Sequence, residues 1–253
     1  MPSLTAAVLA RDNAAEIGPC LASVAWADEL LVILDDRSTD ETEQIARQLG
    51  ARVVRNRFHD FAQQRNFGLG LVHTEWLFYI DSDELATPEL GQEIRKAIGQ
   101  PGYVGWWVPR RNFIWGHETR YGGWYPDYQL RLLRIGRARY DPERQVHEVV
   151  LLDGEAGYLQ QPLIHHNYRT FRQFVTKQRQ YVPLEARILF DRGVRPKPWT
   201  VLSQPCREFW RRYIRLQGYR DGFHGFILCT LTAYYYGFCV SRALQRLWRE
   251  TAP

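Results

Sequence analysis

The chain has 253 residues, 45% hydrophobic and 24% charged, which is enough apolar side chain for one large core or two modest ones and excludes an intrinsically disordered chain. Of its 33 Lys+Arg and 28 Asp+Glu, residues 1–168 hold 17 and 23, a net of −6, and the rest hold 16 and 5, a net of +11, so the overall +5 joins an acidic front to a basic tail. The four cysteines, Cys20, Cys206, Cys229 and Cys239, make no C-x-x-C pair, which argues against a zinc knuckle or disulfide framework and for a reducing compartment.

The opening MPSLTAAVLARDN has no basic n-region and meets Arg11 and Asp12 too soon for a signal-peptide h-region, so it reads as mature, cytosolic sequence. The apolar run Leu4–Ala10 predicts a buried strand, and Ile17, Leu21 and Val24 at helical spacing predict a helix after it. Glu29–Leu34 predicts a second strand running into Asp35 and Asp36. Ser38 and Glu41 then have capping-box spacing, Ile45 and Leu49 mark an apolar face, and Gly50 is placed to stop the helix. Ala51–Val54 predicts a third strand, FAQQRNFGLGLVH a helix, and Trp76–Ile80 a fourth strand, while Thr87 with Pro88 starts another helix. Single helices alternating with strands predict an α/β fold with a mostly parallel, doubly wound sheet that binds ligands at its strands' C-terminal ends. Asp35/Asp36 and Asp81/Asp83 both fall at such ends.

From Gly102 to Gly123 the chain turns to Trp, Tyr, Gly and Arg with no clean period, a pattern shared by a substrate-facing surface and by a twisted strand pair packed on the sheet. From Phe171 the signal is helical. No charged residue occurs between Asp221 and Arg242; Gly222–Ser241 is long enough to span a bilayer, but His224, three tyrosines and several glycines favour a shallow, re-entrant or buried helix. Arginines interleaved with Phe209, Trp210, Tyr213, Ile214 and Leu216 suit an anionic membrane surface, and a packed helix with a solvated basic face gives the same pattern. No RNP, zinc or helix-turn-helix signature supports nucleic-acid binding.

The stretch WLFYIDSDEL places Asp81, Asp83 and Glu84 at the end of a buried strand, where repulsion and desolvation call for a counter-ion. A helix N-cap is one reading, although Thr87 and Pro88 already start that helix. A haloacid-dehalogenase-type phosphatase is a second, but its nucleophile belongs on an early strand, with Thr or Val where Leu85 stands. The third is a divalent cation bridging carboxylates to a diphosphate, since Mg2+ and Mn2+ take oxygen ligands from one or two carboxylates and substrate phosphates.

Together, DDRSTDET after the second strand, Arg65 with Asn66, FYIDSDE after the fourth strand, PDYQLRLLR and VHE resemble an inverting family 2 glycosyltransferase of GT-A fold. The chain is most similar to the subgroup of lipopolysaccharide-core glucosyltransferases and related cell-envelope enzymes. The resemblance covers nearly the whole chain. It implies a catalytic domain over 1–168, its nucleotide-binding half about 1–100 and its acceptor half about 101–168, followed by a helical, basic amphipathic extension over 169–253. It implies that Asp36 holds the uracil, with Ala10, Asp12 and Asn13 forming the nearby wall. Arg65 would lie over the base or a phosphate; a lone arginine on a helix could equally be solvated. Asp81 would meet the ribose and metal-bound water, Asp83 would ligate Mg2+ or Mn2+, and Glu84 would support them or cap the next helix.

Inversion needs one base to deprotonate the acceptor hydroxyl. The resemblance gives this role to Asp127, with Arg131 four residues on counted among the donor-binding residues; Pro126 stands where the family often has glutamate. Glu148, beside His147, is the second candidate. His165 or His166 could place an imidazole on the metal or a phosphate. Trp106, Trp107, Trp115 and Trp124 could stack on sugars or sit in the core. The implied function is metal-dependent transfer of glucose or a similar hexose from a UDP-sugar to a cell-envelope glycan or glycolipid acceptor such as lipopolysaccharide core. The implied location is the cytoplasmic face of the membrane, with peripheral contact through the tail. The alternatives are a non-catalytic membrane-surface module on the same fold and the phosphatase.

Overall fold

The computed structural model describes residues 2–142 and 149–251. The front of the chain runs β1 (Leu4–Ala10), α1 (Ala14–Ser23), β2 (Glu29–Asp35), α2 (Thr42–Gln48), β3 (Arg52–Asn56), α3 (Phe61–Leu71), β4 (Trp76–Asp81), β5 (Glu84–Ala86) and α4 (Pro88–Ala97). There follow β6 (Tyr103–Ile114), β7 (His117–Thr119), β8 (Asp127–Arg134), β9 (Ala138–Tyr140), β10 (Val150–Leu152), β11 (Glu155–Tyr158) and β12 (Leu163–Tyr168). The rest is helical: α5 (Phe171–Asp191), α6 (Thr200–Phe209), a π-helical turn at Trp210–Arg215, a 3-10 turn at Gly218–Asp221, α7 (Gly222–Thr232), a second π segment at Ala233–Cys239, and α8 (Val240–Glu250).

The main sheet runs β3-β2-β1-β4-β8-β6-β12-β5, with β7 and β11 also pairing to β6. Its first four strands are parallel, and β8 is antiparallel to β4. Runs such as LTAAVLA and WLFYI lack polar alternation because both sheet faces are covered; Leu4, Val8, Phe78 and Ile80 pack on one side, and Ala7, Leu77 and Tyr79 on the other. The predicted strands and helices of the first hundred residues are all present. Of the two patterns offered for Gly102–Gly123, strands account for much of the stretch: β6 and β7 pair antiparallel with Asn112 opposite Thr119.

One helix start differs from expectation. Helix α2 begins at Thr42, not Ser38, because the Ser38 hydroxyl is used elsewhere: it accepts the Asp12 N–H at 3.0 Å. The capping-box spacing instead serves a loop that ties the end of β2 to the end of β1. By contrast, the Thr87 side chain accepts the Leu90 N–H and caps α4 as the sequence indicates.

By contact density the chain divides into two compact units, residues 1–110 with 128–165 and residues 111–127 with 166–253. The first contains the parallel strands and α1 to α4. The second has its own apolar centre, in which Ile114, Tyr168, Phe174, Leu228 and Tyr235 are buried, and a smaller cluster at Ala186, Val240 and Leu244. The helical stretch Gly218–Glu250 is long and apolar enough to cross a membrane by length and composition alone, and residues such as Leu228, Thr232 and Val240 on it are buried inside the protein.

Candidate active site

Strand β4 delivers Asp81 to the C-terminal edge of the parallel sheet, opposite Leu9 of β1. Three arginines from distant parts of the sequence converge on this strand end. Arg65 of α3 reaches an Asp81 carboxylate oxygen at 3.0 Å; Arg131 of β8 reaches one oxygen at 3.1 Å and binds the other still more closely. Arg110 of β6 lies 3.2 Å from Glu84, whose other oxygen accepts the Asp81 backbone N–H at 3.0 Å. Arg131 also approaches Glu84, at 3.5 Å. Glu84 is fully buried, as are the bodies of Arg65 and Arg131. Fork-shaped guanidinium groups suit this sharing of carboxylates.

The counter-charge that these carboxylates call for is therefore largely supplied by arginine. Burial alone would raise the Asp81 carboxyl, but the charges of Arg131 and Arg65 and the Arg131 hydrogen bond outweigh it and hold the group well below the usual carboxylate range. Arg65 is not a solvated surface residue: its guanidinium lies over the rings of Tyr79 and Tyr140, 5.1 and 5.7 Å from their centroids. Neighbouring Asn66 fixes this arrangement by exchanging two 2.8 Å hydrogen bonds with the backbone of Tyr140. Buried Cys20 donates to the Asp81 carbonyl at 3.4 Å; burial, then the nearby Glu84, Asp81 and Asp83 charges, push its thiol up, so it is inert.

Asp83 lies in the turn between β4 and β5. The antiparallel register of β5 on β12 sets Glu84 opposite His165 and brings the His165 Nε2 within 3.7 Å of an Asp83 carboxylate oxygen. No cluster of three or more His, Cys, Asp or Glu with metal-holding geometry occurs among the described residues. One carboxylate and one imidazole do fit Mg2+ or Mn2+ where substrate phosphates and water complete the shell. Both Asp81 oxygens accept from arginines.

At the neighbouring strand ends, the Asp12 carboxylate accepts the Thr39 N–H at 2.8 Å, and this bond with others from the same loop outweighs burial and leaves the group below its ordinary value. Asp12 adopts a positive φ of 50°, unusual for a residue with a side chain. Asn13 donates its N–H to Thr42 Oγ1, and Ala10 is buried beneath. Of the acidic pair after β2, Asp35 is the buried one. It takes a two-pronged contact from Arg37 and accepts the Arg37 N–H, the Asx turn that the sequence allows, and the Arg37 hydrogen bonds hold its carboxyl far below normal despite burial. Asp36 keeps an exposed carboxylate, 3.2 Å from Arg57. The strand ends thus leave Asp36 accessible and commit Asp35 to the loop.

Asp127, the first residue of β8, belongs to the second unit, where the buried Asn112 amide donates to it at 3.3 Å and to the Trp124 carbonyl at 2.8 Å. Glu148, the other base candidate, and His147 lie outside the described residues. His166 packs its ring 5.6 Å from Phe113. Trp106 is buried against Tyr103, Trp107 stacks near Tyr158, and Trp115 packs among Phe171, Phe174 and His224. Of the four, Trp124 lines a cavity described below. Sequence reasoning did not find Arg110, whereas the supporting role given to Glu84 is the one it takes, on the Asp81 backbone N–H. Tyr79, a tyrosine inside an otherwise apolar strand, was the available signal for a buried polar partner.

Residues 5–166 match the model of the family described as "Glycosyl transferase family 2". A lipopolysaccharide core biosynthesis glycosyltransferase, LpsC of Rhizobium meliloti, is 29% identical over 99% of this chain and 95% of its own. An uncharacterized glycosyltransferase, RP128 of Rickettsia prowazekii, is 29% identical over 92% of this chain and 84% of its own. Among solved structures, S. aureus TarS residues 1–349 in complex with UDP-GlcNAc superposes with a TM-score of 0.51 at 12% identity, covering 98% of this chain and 92% of that one, a likeness of fold.

Proposed function

The chain belongs to glycosyl transferase family 2, and on that premise we propose that it moves a hexose from a UDP-sugar to a cell-envelope glycan or glycolipid acceptor of the lipopolysaccharide-core kind, with inversion at the anomeric carbon. Family membership sets aside both the phosphatase and the non-catalytic module. The near full-length relation to a lipopolysaccharide core glycosyltransferase supports the acceptor class. The observation that carries the reading is the arrangement at the end of β4: an arginine-clamped Asp81 beside an Asp83 that shares its surroundings with His165.

In this reading Asp83 and His165 hold Mg2+ or Mn2+, which when bound supplies Lewis-acid stabilisation of the departing diphosphate. Arg65 and Arg131 fix Asp81 in one rotamer, ready to accept from a ribose hydroxyl. Ala10, Asp12, Asn13 and Asp36 line the nucleoside, with the Asp36 carboxylate accepting from the uracil N–H. Asp127 takes the proton from the acceptor hydroxyl, with Glu148 as the competing candidate. The aromatic cluster Phe209, Tyr213, Tyr219, Phe223 and Phe226, its rings in mutual contact and flanked by exposed Arg211, Arg215 and Arg220, makes peripheral contact with an anionic membrane surface on the cytoplasmic side.

Calorimetric titration of UDP, with GDP as control, tests the donor site. Binding to wild type in Mn2+ that is lost in EDTA and in Asp83→Asn supports the reading; no UDP binding under any condition removes it. Among variants that retain UDP binding, Asp127→Asn is expected to lose transfer by at least ~10²-fold. The opposite pattern, with transfer lost in Glu148→Gln and kept in Asp127→Asn, would hand the base to Glu148.

A further inference from the structure

The second unit contains a cavity of about 220 Å3 whose lining includes Asp127, Asn112, Trp124, Tyr168, Gln178 and Arg212. At about 30 Å3 per water it holds roughly seven solvent molecules, too little for a nucleotide or drug-sized ligand but enough for one sugar ring. Its polar groups come from four separate segments and are held in place. The Gln178 amide donates to the Tyr168 hydroxyl at 3.2 Å, and both residues are buried. Burial pushes the Tyr168 hydroxyl far above its normal pKa, so it stays neutral and able to donate or accept. Arg212, in the π-helical turn, donates from Nη1 to the Gly122 carbonyl at 2.9 Å and from Nε to Glu208 at 2.6 Å, and its guanidinium lies 5.9 Å from the Trp124 ring centroid.

The charge balance of this wall indicates what it receives. Glu208 is shared between Arg211 and Arg212 from behind the wall, and the charged groups on the wall itself are one guanidinium, Arg212, and one carboxylate, Asp127, so an oxyanion is suited to the Arg212 end and a hydroxyl to the Asp127 end. The Glu208 carboxyl is held below normal by hydrogen bonds from both arginines, against the effect of burial. A rigid arginine fixed over an aromatic ring is suited to a planar or tetrahedral oxyanion. An indole face and neutral hydroxyl and amide groups suit the rest of a pyranose.

We propose that this cavity is an acceptor subsite for a single sugar unit bearing an acidic group, carboxylate or phosphate, which Arg212 receives while a ring hydroxyl is presented to Asp127. This rests on the transferase reading above and adds to it the charge and size of the unit that is bound. The proposal involves binding only. Trp124, Tyr168 and Gln178 orient the ring, and Arg212 discriminates by charge.

The test is saturation-transfer NMR on the full chain, loaded with UDP and Mn2+, using methyl glucuronide, glucose 6-phosphate and, as neutral control, methyl glucoside. Wild type is expected to bind at least one acidic sugar at least ten times more tightly than the glucoside, and the stronger of the two acids tells carboxylate from phosphate. Arg212→Gln should abolish that preference and Arg212→Lys restore part of it. Tyr168→Phe, which removes one oxygen and leaves the fold's apolar contacts, should weaken binding of both acidic sugars several-fold. Equal affinity for acidic and neutral sugars, or a preference unchanged in Arg212→Gln, overturns the proposal, as does the absence of saccharide binding in protein that still binds UDP. Loss of UDP binding with the acidic-sugar preference intact would instead sink the donor reading and leave the subsite standing.

Discussion

Replacing Arg131 with Gln removes the more closely bound of the two arginines on Asp81 and one of the two near Glu84. Breaking a buried ion pair by deleting one partner costs about 3–5 kcal/mol, because the remaining charge stays desolvated. Two features reduce that figure: Arg65 still neutralises Asp81 and Arg110 still neutralises Glu84, and the Asp81 side chain is 32% exposed, so water shares the load. We expect a loss of ~2–3 kcal/mol at pH 7, read as a fall of about 1 M in the urea midpoint with an unchanged slope. The effect should depend on pH in a fixed direction. Asp81 is held below its ordinary 3.8, so its contribution is complete above pH 3.8 and fades as the pH falls toward the lower folded value. The gap between wild type and Arg131→Gln should therefore narrow below pH 3.8. Adding Asp81→Asn should rescue part of the loss, with a coupling energy of about 1–3 kcal/mol. A cost under ~0.5 kcal/mol at pH 7, or no coupling, would refute the view that this arginine is the counter-charge of the strand end.

Two further outcomes follow from the packing. A Cβ on Gly68 would lie 2.4 Å from Ile33 and 2.5 Å from the Tyr79 hydroxyl, so in Gly68→Ala these buried side-chain ends or α3 itself must shift; about 1–3 kcal/mol of destabilisation is expected by thermal or urea denaturation, together with weaker UDP binding because Arg65 rides on the same helix and its carbonyl accepts from the Tyr79 hydroxyl. In the second unit, hydrogen bonds from Arg111 and then Arg120 lower Glu118 from 4.5 to about 2. Its stabilisation is whole above pH 4.5 and disappears between pH 4.5 and about 2, so Glu118→Gln should cost ~1–2 kcal/mol at pH 7, a figure reduced for the exposure of Arg120, and nothing near pH 2.

Local patterns were readable where local physics decides. Leu4–Ala10 and Trp76–Ile80 are uninterrupted apolar runs because both faces of a parallel strand are buried, and Thr87–Pro88 starts a helix by a rule confined to a few adjacent residues. Of the motifs that carried the family resemblance, DDRSTDET and FYIDSDE lie at the ends of β2 and β4, Arg65 with Asn66 lies on α3, PDYQLRLLR runs into β8, and VHE lies outside the described residues. The Ser38–Glu41 spacing misled because a hydroxyl can accept from any N–H that the fold brings near, and Asp12, 26 residues away, supplied one.

The charge logic of the site could not be read along the chain. From sequence alone, three acids within four residues called for a counter-ion, and a metal was the available choice. Tertiary structure brought Arg65, Arg110 and Arg131 to the same place from a helix and two strands, and set Asp83 beside His165. It also decided that Asp35 is buried and Asp36 exposed, although the two are adjacent and chemically alike. Strand and helix assignments depend on neighbours within a few residues, so the sequence determined them. Electrostatic partners are set by distance in space, and only the packing of α3, β6 and β8 around the end of β4 could determine those.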